Sequence, residues 1–321
     1  MPLVTSDVHV DQALSAVSIS YAQEQSRFIA SQVFPSVNVS HLSNKYHIFS
    51  KDAYLRSEAG LRAPGSRSRT ANFQLSTGTY SCEEYGVAMN VDDLVAANAD
   101  AGLDILTSTT RYVTEQLLLK RDQVFAAAAF ADNVWTGSTT GNDITPGTLW
   151  SAANSTPIKD IQTQQDAIES KTGRKPGLLL LGSDVYTALR DSDDILDRVK
   201  YSERGVLTTD LMASIFGVDK VIVAAPIVNS GPESGTASYG RVFNPKDALL
   251  CYVPDSPGLM TPSAGYMFSF TGVSGAYQFE GLRTRRYREE AMHSERIEAL
   301  SAFDFAVTGA DLGAFFDGCV A

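Results

Sequence analysis

The sequence predicts an α+β protein, and three stretches carry that prediction. Leu103 to Trp135 contains neither proline nor glycine, and Leu103, Leu106, Val113, Leu117, Val124 and Ala128 recur at the spacing of one helical face. At 1.5 Å per residue the stretch makes a rod of about 45 Å. Residues 150–250 alternate helical patterns with short, wholly apolar runs, the signature of an α/β unit with its own core. Residues 45–90 and 265–301 read instead as strands with alternating or strongly charged faces.

The chain has 321 residues, 44% hydrophobic and 20% charged, which is enough for two medium domains or one large one. It has no apolar run of transmembrane length, and its start, MPLVTSDVHVDQ, lacks the basic and apolar regions of a secretory signal. Synthesis in the cytoplasm is the expectation. Cys82, Cys251 and Cys319 are odd in number and far apart, with no CxxC, so buried thiols are expected rather than a disulfide framework or a zinc ribbon. The net charge of −11 repels nucleic acid on average.

Taken in order, Asp11 to Val33 has helical character that Phe34-Pro35 ends, and Val37, Val39 and Leu42 then alternate as an extended segment. An arm that ends in this way needs a surface to lie on. Tyr46, Ile48 and Phe49 suggest a strand, and so do Phe73, Leu75 and Tyr80. Between them runs AYLRSEAGLRAPGSRSRTAN, the exposed tip of a long hairpin. From Lys51 to Arg69 five basic residues (Lys51, Arg56, Arg62, Arg67, Arg69) stand against two acidic ones, a local net charge of +3 in an acidic chain. Another copy of the same chain is the partner this contrast suggests. Nucleic acid is disfavoured, because the tip lacks interleaved aromatics.

Asp92, Asp93 and Asn98 offer caps for a short helix over Leu94–Ala97 before the long helix, which is expected to end near Asn133. Gly137 to Gly147 is a loop. Pro157 to Lys171 is an amphipathic helix, Asp184 to Leu189 begins another, and Leu211 to Phe216 is a third, ended by Gly217. Leu178–Leu181, Lys220–Ala225 and Ala248–Val253 are strands buried on both faces. Asn229 to Tyr239 is a loop. Tyr266, Phe268 and Phe270 alternate, and Arg296 to Leu300 suggests a long strand following the arginines at 283, 285, 286 and 288. The apolar segment Phe303 to Val320 belongs to the fold.

No Walker loop, GxGxxG, GxSxG or HExxH occurs. His41 and His47 have no nearby cysteine or matching carboxylate, and the adjacent acid pairs (Glu83-Glu84, Asp92-Asp93, Asp193-Asp194, Glu289-Glu290) point apart and suit a solvated surface. Neither an enzyme nor a cofactor or metal site is expected.

SYAQEQSRFIASQVFPSVNV (20–39), YHIFSKDAYLRSEAGLRAPG (46–65), CEEYGVAMNVDD (82–93), the long helix, TGRKPGLLLLGSDVYTAL (172–189), FGVDKVIVAAP (216–226) and RTRRYREEAMHSERIEALSAFDFAV (283–307) resemble, in that order, the parts of tailed-bacteriophage major capsid proteins of the HK97-like fold. The resemblance implies an N-terminal arm (1–44), an E-loop hairpin (45–85), a peripheral domain with the spine helix (86–156 and 262–307) and an axial domain (157–261 and 308–321). It implies a structural protein whose pentamers and hexamers tile an icosahedral shell, the virion capsid, around double-stranded DNA bound without sequence specificity. Arg56, Arg62, Arg67 and Arg69 of the E-loop tip, and Phe28, Phe34, Val37 and Val39 of the arm, are then assembly contacts. The arm starts almost at Met1, so scaffolding is expected from a separate protein, with a portal and a decoration protein as further partners and no membrane. The family's lysine–asparagine crosslink has no matching positions here. An encapsulin-like compartment shell is the alternative of the same fold. An α/β ligand-binding or enzymatic domain with appendages is the alternative from another class. On the spine helix, Arg111, Glu115 and Arg121 are expected on the face opposite the core.

Overall fold

The computed structural model of the chain describes residues 27–49, 51–99, 104–199, 207–232, 235–254, 256–258, 261–272 and 282–321. A one-turn helix α1 (Ala30–Val33) leads into strand β1 (Ser36–Val39). Next come β2 (Ser43–Phe49), the short helix α2 (Lys51–Leu55), β3 (Leu75–Ser81), β4 (Glu83–Asp92) and α3 (Asp93–Ala97). The long helix α4 (Ile105–Ala129) precedes α5 (Pro157–Thr172), β5 (Leu178–Gly182), α6 (Ser183–Arg190), α7 (Asp193–Val199) and α8 (Thr209–Phe216). Then follow β6 (Lys220–Ala224), the hairpin β7 (Ile227–Asn229) and β8 (Tyr239–Arg241), and β9 (Ala248–Cys251). The chain closes through β10 (Gly265–Phe270), β11 (Leu282–Glu289), β12 (Ser294–Val307) and β13 (Gly313–Phe316).

Among the described residues the strands form two main sheets. In the first, β12 is the trunk. Its length lets it pair antiparallel with β4 and β11 along its first part and with β10 along its last, while β1 lies parallel on β10. The second sheet has the order β13-β9-β5-β6. In β5 the four leucines divide by parity. Leu178 and Leu180 enter one core and Leu179 and Leu181 the other, which is why the run carries no polar alternation. Helices α5 and α8 close the core that Leu179 and Leu181 enter, and their ends follow local rules. Pro157 opens α5, Thr208 caps α8 by accepting from Leu211 N at 3.3 Å, and Gly173 and Gly217 end the two with φ of 69° and 65°.

Helix α4 ties the two sheets together. Its start is set by Asp104, whose carboxylate accepts from Thr107 N at 3.1 Å, and its end by Trp135, whose indole N–H donates to Ala129 O at 2.7 Å. It stops at Ala129, short of the expected Asn133, because that capped turn takes the chain away. Its buried residues include Ile105, Thr109, Val113, Leu117, Arg121, Phe125 and Ala129. A stripe with a step of four drifts about 40° per step on a 3.6-residue helix, so the buried face winds around the rod. Val113 and Leu117 therefore meet Ile297 and Ala299 of the first sheet, and Phe125 and Ala129 enter the core shared with Leu180, Leu249 and Phe315 of the second. The expected straight face keeps Val113 and Leu117. Leu106, Val124 and Ala128 are only half-buried, and Leu103 lies outside the described residues. Arg121, expected outside, is inside, with its guanidinium 5.6 Å from the centre of the Phe303 ring and bonded to Ser301 Oγ at 3.4 Å. Its flat, weakly hydrated head tolerates an aromatic face.

The arm departs from expectation in a second way. Of its predicted helix, residues 11–26 lie outside the described residues, and the rest is α1 alone. The following strand, residues 36–39, lies parallel on β10 of its own subunit and so joins the first sheet. Elements not anticipated include α2, α7, the β7–β8 hairpin and β13. The charged stretch 282–301 divides into β11 and β12 around a turn in which His293 takes φ 46°.

Candidate functional site

The hairpin carries a long exposed stretch. Strands β2 and β3 pair from Ser43↔Ser81 to Phe49↔Leu75, and beyond α2 the chain runs from residue 56 to 74 without regular structure. Arg56, Arg62, Arg67 and Arg69 all lie on this exposed tip. Arg56 meets Glu58 at 3.7 Å, Arg62 Nε donates to Ser66 O at 2.5 Å, and the stem of Arg69 lies against Gly60. Such contacts shape the loop but leave its charge in solvent, where a surface pair contributes about 0–1 kcal/mol. Beneath the tip, Phe49, Tyr54 and Phe73 form a triangle of rings with centroids 5.9–6.3 Å apart, and Tyr54 and Phe73 remain more than half exposed. An exposed aromatic patch flanked by arginines is the composition of a protein contact.

The root of the hairpin is built differently. Tyr46 and Tyr80 both stack on Phe268, with centroids at 5.6 and 4.5 Å. Ser81 N donates to Asp304 Oδ2 at 2.9 Å, and Cys82 N to Leu42 O at 2.7 Å. Nearer the tip, Lys51 Nζ pairs with Asp311 at 2.5 Å, between the two sheets' closing strands. The sequence showed these aromatics only as strand residues, because a stack across 222 positions leaves no local period.

The four arm residues expected at an interface are used within the subunit. Phe34 is fully buried, edge-on to Phe125 at 5.1 Å and near Phe305 at 6.4 Å, and Gly265 leaves room for its ring. Phe28 is also buried, and Val37 and Val39 pack against the hairpin root. Within one subunit Phe28 and Phe34 are thus buried, and Val37 and Val39 are partly so, because the arm strand pairs with β10. What holds the arm there is Asp122. Its buried carboxylate accepts from Ile29 N at 3.1 Å and Ala30 N at 2.9 Å, filling the role of an N-cap for α1. Burial pushes Asp122 up to about 6, with the two backbone bonds and Arg121 opposing it.

The arginines of β11 are laced to acids. Arg285 pairs with Glu298, Arg286 with Glu295, and Arg288 grips Asp93 through two nitrogens at 2.5 and 2.6 Å. The Arg288 hydrogen bond holds Asp93 below the usual carboxylate range. Paired charges along an edge strand discourage uncontrolled pairing with other sheets. Among the described residues the carboxylates with metal-ligand spacing are Asp132, Asp247 and Asp317, within 4.8 Å of one another. Burial first raises Asp247, and Gly318 N and Asn244 Nδ2 relieve it at 2.9 and 2.6 Å. His41, His47 and His293 are exposed, and the three cysteines are buried apart from one another. No helix among the described residues is long and apolar enough to cross a membrane.

Two sheets bridged by one spine helix, with a long hairpin rooted on the first sheet and exposed at its tip, define the class of a shell-building protein. The profile of the phage capsid protein family matches residues 77–309, and the chain belongs to that family. The major capsid protein of Burkholderia phage BcepMu is 26% identical over 266 residues, covering 80% of this chain and 82% of the relative. Among solved structures, a phage-related protein from Bordetella bronchiseptica superimposes with a TM-score of 0.71 at 22% identity, over 97% of this chain and 98% of that one. The mature capsid subunit of bacteriophage PhiM1 gives 0.57 at 13% identity, over 97% and 92%. The fold is therefore HK97-like, and the protein is a structural component of a phage capsid, the virion shell built from many copies of it.

Proposed function

We propose that this chain is the shell subunit of a double-stranded DNA phage, assembling as pentamers and hexamers, and that the hairpin tip is its principal contact with the next copy. The observation that carries the reading is a tip of local charge +3 and exposed aromatics on a chain of net charge −11. Opposite charges steer copies together, and many modest contacts repeated by symmetry close a durable shell. In this reading the unit around β12 is the peripheral domain, the unit around β5 is the axial domain, and the 45–85 hairpin is the E-loop. The acidic balance limits adhesion of packaged DNA to the wall, so the genome is enclosed without sequence-specific binding. A separate scaffolding protein, a portal and a decoration protein are the further partners of such a shell, and synthesis is in the host cytoplasm.

Electron microscopy of the purified protein, alone and with its scaffold, tests the reading. Closed shells are expected. Replacing Arg62, Arg67 and Arg69 together by Glu should abolish them while the circular dichroism spectrum of the subunit stays unchanged. Compact monomers under every condition would overturn the shell, and normal shells from the triple variant would overturn the role of the tip.

A further inference from the structure

The hairpin rests on the body in a way that neither its charge nor its exposure explains. A two-stranded ribbon is marginal by itself and takes its direction from whatever holds its root. Here the rings of Tyr46 and Tyr80 both stack on Phe268, and Phe268 and Tyr80 are both buried. Phe268 is itself fixed by its strand, which pairs with Val37 of β1 on one side and Asp304 of β12 on the other. Gly78 completes the arrangement. It sits directly opposite Tyr46 in the ladder, and a Cβ there would fall 2.3 Å from Tyr46 Cζ. The missing side chain lets the Tyr46 ring fold across the ribbon onto Phe268. Further out, the Lys51–Asp311 pair is roughly one-third to one-half exposed, a contact of the kind that breaks readily.

We propose that the Tyr46–Phe268–Tyr80 stack, made possible by Gly78, is the pivot that sets the take-off angle of the hairpin, and that this angle selects the curvature of the assembled shell. The Lys51–Asp311 pair is the yielding catch of the same lever. Leverage makes the angle matter. A seven-residue strand such as β2 spans about 23 Å, so a 10° change at the root moves the far end by about 4 Å, the width of a side-chain contact. The curvature half of the proposal rests on the shell reading above. The pivot itself does not.

Spin labels at Ser68→Cys on the tip and Ser108→Cys on the exposed side of α4 measure the angle in the dilute, unassembled subunit. The three native thiols are buried and stay unlabelled. The native chain should give one narrow distance distribution. Tyr46→Ala should broaden it, Gly78→Ala should shift or broaden it by displacing a Tyr46 ring that is still present, and Tyr46→Phe should restore the native distribution. In microscopy, Tyr46→Ala and Gly78→Ala should replace a single particle diameter by mixed sizes or open sheets, and Tyr46→Phe should not. A narrow, native distance distribution in folded Tyr46→Ala and Gly78→Ala overturns the pivot. Broadened distances with native particle diameters overturn the link to curvature. A native chain that forms no shells sinks the shell reading, and the distances still decide the pivot.

Discussion

Asp122 makes stability depend on pH in a direction opposite to that of most carboxylates. Its folded value of about 6 lies above its ordinary 3.8, so the native state takes up a proton before the unfolded chain does. The stabilising contribution is fully present below about 3.8 and is lost as pH rises through about 6. At pH 5 the native carboxyl is about ten-to-one protonated and the unfolded one only about one part in fifteen, which favours folding by about 1.4 kcal/mol relative to pH 7.5. Asp93 and Glu295, whose values are lowered by Arg288 and Arg286, act with the opposite sign but only at lower pH. Asp247 and Asp317 are raised chiefly by burial and act with the same sign as Asp122. The native chain should therefore be compared with Asp122→Asn, which cannot ionise and keeps one carbonyl to accept from the arm. Urea unfolding of dilute subunits between pH 7.5 and 5 can be followed by Trp135 and Trp150, which are buried in the two different cores. The difference in unfolding free energy between native chain and variant should change by about 1.4 kcal/mol across that window, in favour of the native chain at the acid end. Parallel curves would refute the assignment of a buried, raised Asp122.

Phe125 packs against Phe34, Phe243 and Phe305, and Phe125→Ala should cost about 3–5 kcal/mol, read as a fall in the urea midpoint. Asp104→Ala removes the cap of α4 and should cost about 0.5–2 kcal/mol, whereas Asp104→Ser should recover most of it. The thiols of Cys82 and Cys251 are pushed up by burial to about 11 and about 12, and that of Cys319 is raised further, so a thiol reagent at pH 8 should label none of the three until denaturant is added.

Periodicity made the elements legible. The two-sided leucine run, the glycine-terminated helices and the arginine-rich hairpin tip could all be read from residues a few positions apart, and the structure places them within a residue or two of expectation. The order of those elements was enough to suggest the capsid family that the comparisons show. Contacts between residues far apart in the chain had no such signature. Phe34 read as an arm residue because nothing nearby in the chain announces Phe125, and Arg121 read as a surface charge because an aromatic face to receive it comes only with residue 303. Asp122 likewise became a cap only when the arm folded back across 92 positions.

By itself the sequence determined the α+β class, the spine helix, the two-faced strand of the second sheet and the exposed basic tip. Each follows from local stereochemistry and from which side chains water rejects. Only the tertiary structure decided that the arm strand joins β10, that Arg121 and Asp122 of the spine are buried, and that the hairpin leaves the body through a stack of three rings. Those features depend on which buried groups find partners, and a partner is a property of the packed chain.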